Sequence, residues 1–385
     1  MRARRLSDER GIALAVAVFA LVVIGALVAG IFFAGRLEQQ TGMNTFFAAQ
    51  AAEAAEAGLN EAISTQTSAS LLAIPIDPNP ANATSLGSMT VNASYDITAA
   101  RSINRLSDNL FLVRSLGARG SAGGAQLAAR SIGQLIRLVQ ADIEVNAGLT
   151  ALGDVTITGG AQVSGNDAVP PAWSTGVQCP ALDSVAGVRY NGGVLKTSGN
   201  GGVSGDPASV VDATLNPTDM QSDFNKLKVL ATLTVTSDNP AATGPAYTGN
   251  PQKCNAAVET NWGEPTLKTD PCFDYFPIIY HYGNLRLQGG HGQGILLVEG
   301  DLTATGGMVF YGPVFVSGTL STTGNSGQGA KFFGGVIAGN VALDDLTKLA
   351  GGALVNYSSC AIKRALQGSA TPGALAERSW VQLYN

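Results

Sequence analysis

From Gly11 to Gly35 the chain runs for twenty-five residues without a charge, bounded by Arg10 and Arg36. As a helix this stretch is about 37 Å long, more than the roughly 30 Å hydrocarbon core of a bilayer. Whatever the rest folds into must tolerate an anchor of this kind. Arg2, Arg4, Arg5 and Arg10 precede the run. Their position predicts a cytoplasmic N-terminus, a single pass through the inner membrane, and residues 37–385 periplasmic or extracellular. The competing reading is a cleaved secretory signal peptide. Its apolar region should span about 7–15 residues before a small-residue cut site, and this run is longer.

Export bears on the cysteines. Cys179, Cys254, Cys272 and Cys360 all follow the apolar run, and an even count in an exported, loop-rich region reads as two disulfides. Three pairings exist. A compact Pro/Asn/Gly-rich loop separates Cys254 from Cys272, which favours Cys254–Cys272 with Cys179–Cys360; buried free thiols are the alternative. No pair is spaced C-x-x-C, so zinc is not expected. The net charge of −5, with no basic patch beyond the first residues, speaks against a nucleic-acid partner.

The first proline is Pro75, and "RLEQQTGMNTFFAAQAAEAAEAGLNEAI" is rich in strong helix formers. One helix is therefore predicted from about residue 9 to 66, roughly 85 Å long. Its apolar stripe beyond the membrane is loose, and Glu53, Glu56 and Glu61 are expected in water or against a partner helix. Gly25, Gly30, Gly35, Gly42 and Gly58 are candidate points of bending or close approach. Residues 67–88 read as a Pro/Asn/Ser linker. Residues 89–140 alternate apolar and polar residues in three segments, "MTVNASYDITAA", "NLFLVRSLGAR" and "AQLAARSIGQLIRLVQ". They read as an antiparallel three-stranded meander, with a helix as the alternative for the third segment. Residues 167–280 are irregular, with one short helix at "TDMQSDFNKLKVLA" capped by Thr218 or Asp219.

Glycine then becomes periodic: Gly294, Gly300, Gly306, Gly312, Gly318 and Gly324 lie six apart. Within each hexad the third and fifth residues are Leu296/Val298, Leu302/Ala304, Met308/Phe310, Val314/Val316 and Leu320/Thr322. Side chains on a strand alternate faces, so each hexad reads as a short strand with two inward residues and a glycine corner. Three such sides make one coil of a parallel β-solenoid, with coils about 4.8 Å apart. "LGDVTITGGAQVSG" reads as an earlier coil, separated from the rest by the 167–280 insertion. Asp301, Thr303, Thr305, Thr319, Ser321 and Thr323 form polar outer edges. Ile295, Leu297, Val309, Tyr311 and Phe315 form apolar ones, which the insertion or residues 346–385 should cover. An ordinary Gly-rich sandwich is the alternative.

The sequence contains no G-x-S-x-G, H-E-x-x-H, P-loop or G-x-G-x-x-G pattern. His281 lies in an apolar run and is expected packed or hydrogen-bonded, and His291 at a glycine-rich corner. Asp344 and Asp345 read as a helix cap. Asp154, Asp301 and Asp344 are candidates for a stacked acidic edge, but no calcium-loop spacing accompanies them. Neither an enzyme nor a cofactor is expected.

The basic leader, Arg10-Gly11, the apolar helix and the "AAQAAEAAEAGL" tract resemble the type IV pilin superfamily, and within it the PilX-type minor pilins, over residues 1–65. The resemblance implies a prepilin peptidase cut between Gly11 and Ile12, and other pilins packed on the helix. The fifth mature residue would be Val16, where major pilins carry glutamate. That departure suits a subunit present in few copies or at a filament tip.

The fold expected is α+β, mainly β: leader 1–11, transmembrane and stalk helix 12–66, linker 67–88, meander 89–140, and a Gly-rich, parallel β-solenoid-like domain 141–385. The function expected is that of a minor pilin-like structural protein of a type IV pilus or pseudopilus, serving priming, tip or adhesion roles and open to a surface or carbohydrate ligand. The alternative is a membrane-anchored β-solenoid that binds or acts on carbohydrate.

Overall fold

The structure, a computed structural model, describes residues 9–121, 123–174, 179, 183–323, 329–339, 346–349, 352–375 and 380–383. It divides into two compact units. One comprises Met1–Gln66, Ile74–Arg137 and Gly373–Asn385, the other Thr67–Ala73 and Leu138–Pro372. The chain is a long N-terminal helix followed by mainly β structure.

In the first unit, helix α1 (Glu9–Ser64) runs unbroken. An antiparallel sheet follows: β1 (Thr84–Asn92), β2 (Ile97–Arg105), β3 (Leu110–Gly120) and β4 (Gln126–Val139), each paired with the next. The strand Trp380–Leu383 pairs antiparallel with β4. The meander thus has four strands, and its first begins inside the expected linker. Gly87, at φ 81°, bulges β1 between Ser85 and Gly87, which breaks the alternation that marks a strand. The expected first strand, 89–100, is a hairpin. Asn92 accepts a hydrogen bond from the Ser94 amide and Asp96 takes the left-handed conformation, turning the chain. The third segment is a strand, not a helix.

The second unit is built from parallel coils, each with up to three short strands. Coil 1 contains Ile278–Tyr282, Leu285–Gln288 and His291–Gln293. Coil 2 contains Ile295–Glu299 and Leu302–Thr305 and ends on the first half of Val309–Val316. Coil 3 takes the second half of that strand, then Leu320–Thr322 and the start of Lys331–Ala338. Coil 4 takes the remainder, then Leu346–Leu349 and Leu354–Tyr357. Each coil pairs in parallel with the next, so Leu285 lies beside Leu302 and Leu302 beside Leu320.

The stacking order departs from the chain order. Coil 4 docks on coil 5, made of Ala147–Ala151, Asp154–Ile157 and Gln162–Ser164. Coil 5 carries coil 6, made of Ala186–Tyr190, Leu195–Thr197 and Gly202–Ser204. Strand Ser209–Val211 extends one side beyond coil 6, and Leu233–Val235 extends the same side below coil 1. The 167–280 segment is therefore not an insertion that interrupts the stack; it supplies coil 6 and both end strands. Its inner positions are sparse (Val188, Val203, Leu233, Val235) and separated by long loops, so no period is visible.

The interior of the stack contains Leu296, Val298, Leu302, Ala304, Met308, Phe310, Val314, Val316 and Leu320, all buried. Burying each of the larger ones contributes about 1.5–3 kcal/mol. Outward-facing Ile295, Leu297, Tyr311 and Phe315 are also buried, in a second cluster with Trp173, with Phe224 and Leu227 of one helix, and with Cys360, Ala361 and Ala365 of another. These helices are Pro217–Lys228 and Ser359–Gly368. Asn216, not Thr218 or Asp219, caps the former: its side chain accepts from the Thr218 amide at 2.8 Å, with Pro217 at the first helical position.

The glycines answer to the stacking. Gly312, at φ 134°, lies over Gly294, and a Cβ there would strike the Gly294 carbonyl. Gly300 sits over Gly283 in the same way. Corners stacked this closely leave no room for a side chain. Gly324 lies outside the described residues.

Candidate assembly surface

Helix α1 has two halves of opposite character. Leu14, Val16, Phe19, Leu21, Ile31, Phe32 and Phe33 are all exposed, Val16 by 61%. They point around the whole circumference, so no face of this half is satisfied by the chain itself. It is a helix long and apolar enough to cross a membrane. A helix apolar on every side belongs in lipid or among other apolar helices. Gly11 and Ile12 lie in the helical backbone near its start; residues 1–8 lie outside the described residues.

The second half is seated on the sheet. Ala51, Ala54, Ala55, Leu59 and Ala62 are buried, and α1 packs on β2 and β3. The tract is rich in alanine because the helix backbone nearly touches the strand: a Cβ on Gly117 would strike the Ala51 carbonyl and the Ala55 amide. At Gly58 a Cβ would come within 2.6 Å of both the Ala99 Cβ and the Ser115 Oγ. Gly25, Gly30, Gly35 and Gly42 have no such neighbour. Of the four acids on this half, Glu38, Glu53 and Glu56 are exposed, whereas Glu61 pairs with Arg101 of β2. Arg119 of β3 donates to Gln50 Oε1 at 3.0 Å and lies 5.7 Å from the Phe47 ring centre. Sequence reasoning saw the alanines but missed Gly117, which lies on a strand far along the chain.

The remaining candidate residues are dispersed. Cys254 and Cys272 are disulfide-bonded with Cα atoms 4.9 Å apart, as are Cys179 and Cys360 at 5.2 Å. His281 is buried, its Nδ1 3.0 Å from the Val235 carbonyl. His291 is not a corner residue but opens a strand, and its Nε2 lies 3.0 Å from Glu264 Oε2. The Asp154 carboxylate accepts from the Val194 amide at 2.6 Å, and Asp301 from the Thr319 amide at 2.8 Å. Both acids fasten one coil to the next. Asp344 and Asp345 lie outside the described residues. No cluster of three metal-ligating side chains occurs among the described residues.

No protein-family model and no curated protein matches the sequence. Among solved structures, the competence-associated pilin ComZ from Thermus thermophilus aligns over 88% of this chain and 97% of its own, at 12% identity and a TM-score of 0.26. A score that low does not equate two folds.

Proposed function

We propose that this chain is a pilin-like structural subunit of the inner membrane, and within that class a minor pilin of a type IV pilus or pseudopilus. The observation that carries this reading is the division of α1. One continuous helix is bare and apolar in its first half and locked to a sheet by alanine and glycine in its second. A membrane anchor alone needs neither continuity into the folded region nor a close-packed seat. A subunit that inserts its apolar half among neighbouring helices needs both, because the seat fixes the direction in which that half projects. The β units then face away from the membrane, and the parallel stack, which we read as a β-solenoid, is the part displayed for priming, tip or adhesion work.

Under this reading prepilin peptidase cuts between Gly11 and Ile12, and the mature chain begins at Ile12. N-terminal sequencing of the assembled protein tests it. Gly11→Val should leave the full-length chain in the membrane and abolish its appearance in sheared filaments. An intact leader on assembled protein would overturn the proposal.

A further inference from the structure

The outer face of the parallel stack changes character along one row. Across successive coils the paired residues read Leu297, Phe315, Ile337, Thr150 and Arg189. The row passes from apolar to polar between Ile337 and Thr150, which is the seam where coil 4 docks on coil 5. The apolar part lies in the cluster that also holds Phe224 and Leu227. At the seam a cavity of about 170 Å³ remains open. A cavity of about 150 Å³ is known to hold a benzene-sized molecule.

Phe315, Ile337, Ile143, Leu215 and Met220 supply its apolar lining, and Asn146, Asp223 and Arg189 contribute polar groups. Thr150 also lines it. This residue is only 6% exposed, and its hydroxyl has no hydrogen-bond partner among the described residues. As part of the cavity lining, this hydroxyl can exchange a hydrogen bond with a ligand atom there. The charges at the rim have one sign left over. Arg189 pairs with Asp212, its Nε donating to Oδ2 at 2.7 Å, and Lys226 pairs with Asp223 at 2.8 Å. Asp142 and Glu144, which also line the cavity, belong to neither pair.

We propose that this cavity binds a small organic cation: a primary ammonium on an apolar stem about one ring in size. The stem fills the space over Phe315 and Ile337. The ammonium donates to the Thr150 hydroxyl and to the carboxylates of Asp142 and Glu144. An anion has no comparable site, because the guanidinium of Arg189 is engaged by Asp212.

The test is a calorimetric titration of the full chain in detergent with benzylamine, benzyl alcohol and benzoate. Benzylamine should bind saturably and about tenfold tighter than benzyl alcohol, as charge-assisted hydrogen bonds require. Benzoate should not compete. The exposed pair of changes Asp142→Asn and Glu144→Gln should leave the thermal melt unchanged and weaken benzylamine about tenfold. The near-isosteric Thr150→Val should weaken it severalfold. A benzylamine-dependent shift of the Met220 methyl resonance should locate the site independently of the variants. Equal binding of amine and alcohol, competition by benzoate, an unaffected carboxylate double variant, or no saturable heat with a silent Met220 resonance would each overturn the proposal, the last leaving a cavity that holds water alone.

Discussion

The two units face the same steric problem and encode its solution differently. In the helix–sheet unit the backbones of Ala51 and Gly117 approach closer than a Cβ permits. In the parallel stack the same is true of Gly294 and Gly312. The stack repeats its contact once per coil, so glycine recurs with a period that can be read from the chain. The helix meets its sheet through one seat, assembled from an alanine tract and a strand glycine that carry no mutual spacing. Repetition made one requirement visible and its absence hid the other.

The largest effect should come from the interior of the stack. Leu302 is fully buried and Thr303, its neighbour, faces outward. Leu302→Asp buries an unpaired carboxylate and should cost at least about 3 kcal/mol, whereas Thr303→Asp should stay within about 0.5 kcal/mol. Denaturant melts that show equal losses would break the inside–outside alternation on which the comparison rests.

Next comes the seat of the helix. Gly117→Val must move α1 off β3 and should cost about 1–3 kcal/mol, as overpacking does. Gly25→Ala, in the bare half with nothing within 4 Å, should be neutral or strengthen the helix by up to about 1 kcal/mol. Hydrogen exchange of the amides in 51–62 separates the two: only the first substitution should raise it. Unchanged protection in Gly117→Val would mean that the helix does not depend on that contact.

The smallest effect is electrostatic and belongs to the end of the stack. Hydrogen bonds from the Thr214 hydroxyl and amide, and then from Arg189, pull the Asp212 carboxyl down to about 2 from its ordinary 3.8. A depressed acid stabilises the fold above its unfolded value and loses that contribution as pH falls through its folded one. Asp212→Asn should therefore lower the melting temperature modestly at pH 7, and the gap should close between about pH 4 and pH 2. A gap that persists below pH 2 would assign the effect to packing.

The sequence by itself determined the elements whose cause is local or periodic. Twenty-five uncharged residues require an apolar environment whatever follows them. Freedom from proline up to Pro75 let the helix run on into the folded region. The hexad separated Leu302 from Thr303 because a strand alternates its faces at every residue. Tertiary structure decided what depends on partners distant in the chain. Glu61 was expected in water or against another helix, and it meets Arg101. His291 was placed at a corner and is held in a strand beside Glu264. The order of the coils, with coil 4 seated on coil 5, left no trace in spacing. A parallel edge accepts any strand of matching register, and only the fold selects which segment supplies it. The cavity between Ile337 and Thr150 exists because of that choice: it lies where an apolar row ends and a polar one begins, on strands that the chain itself places far apart.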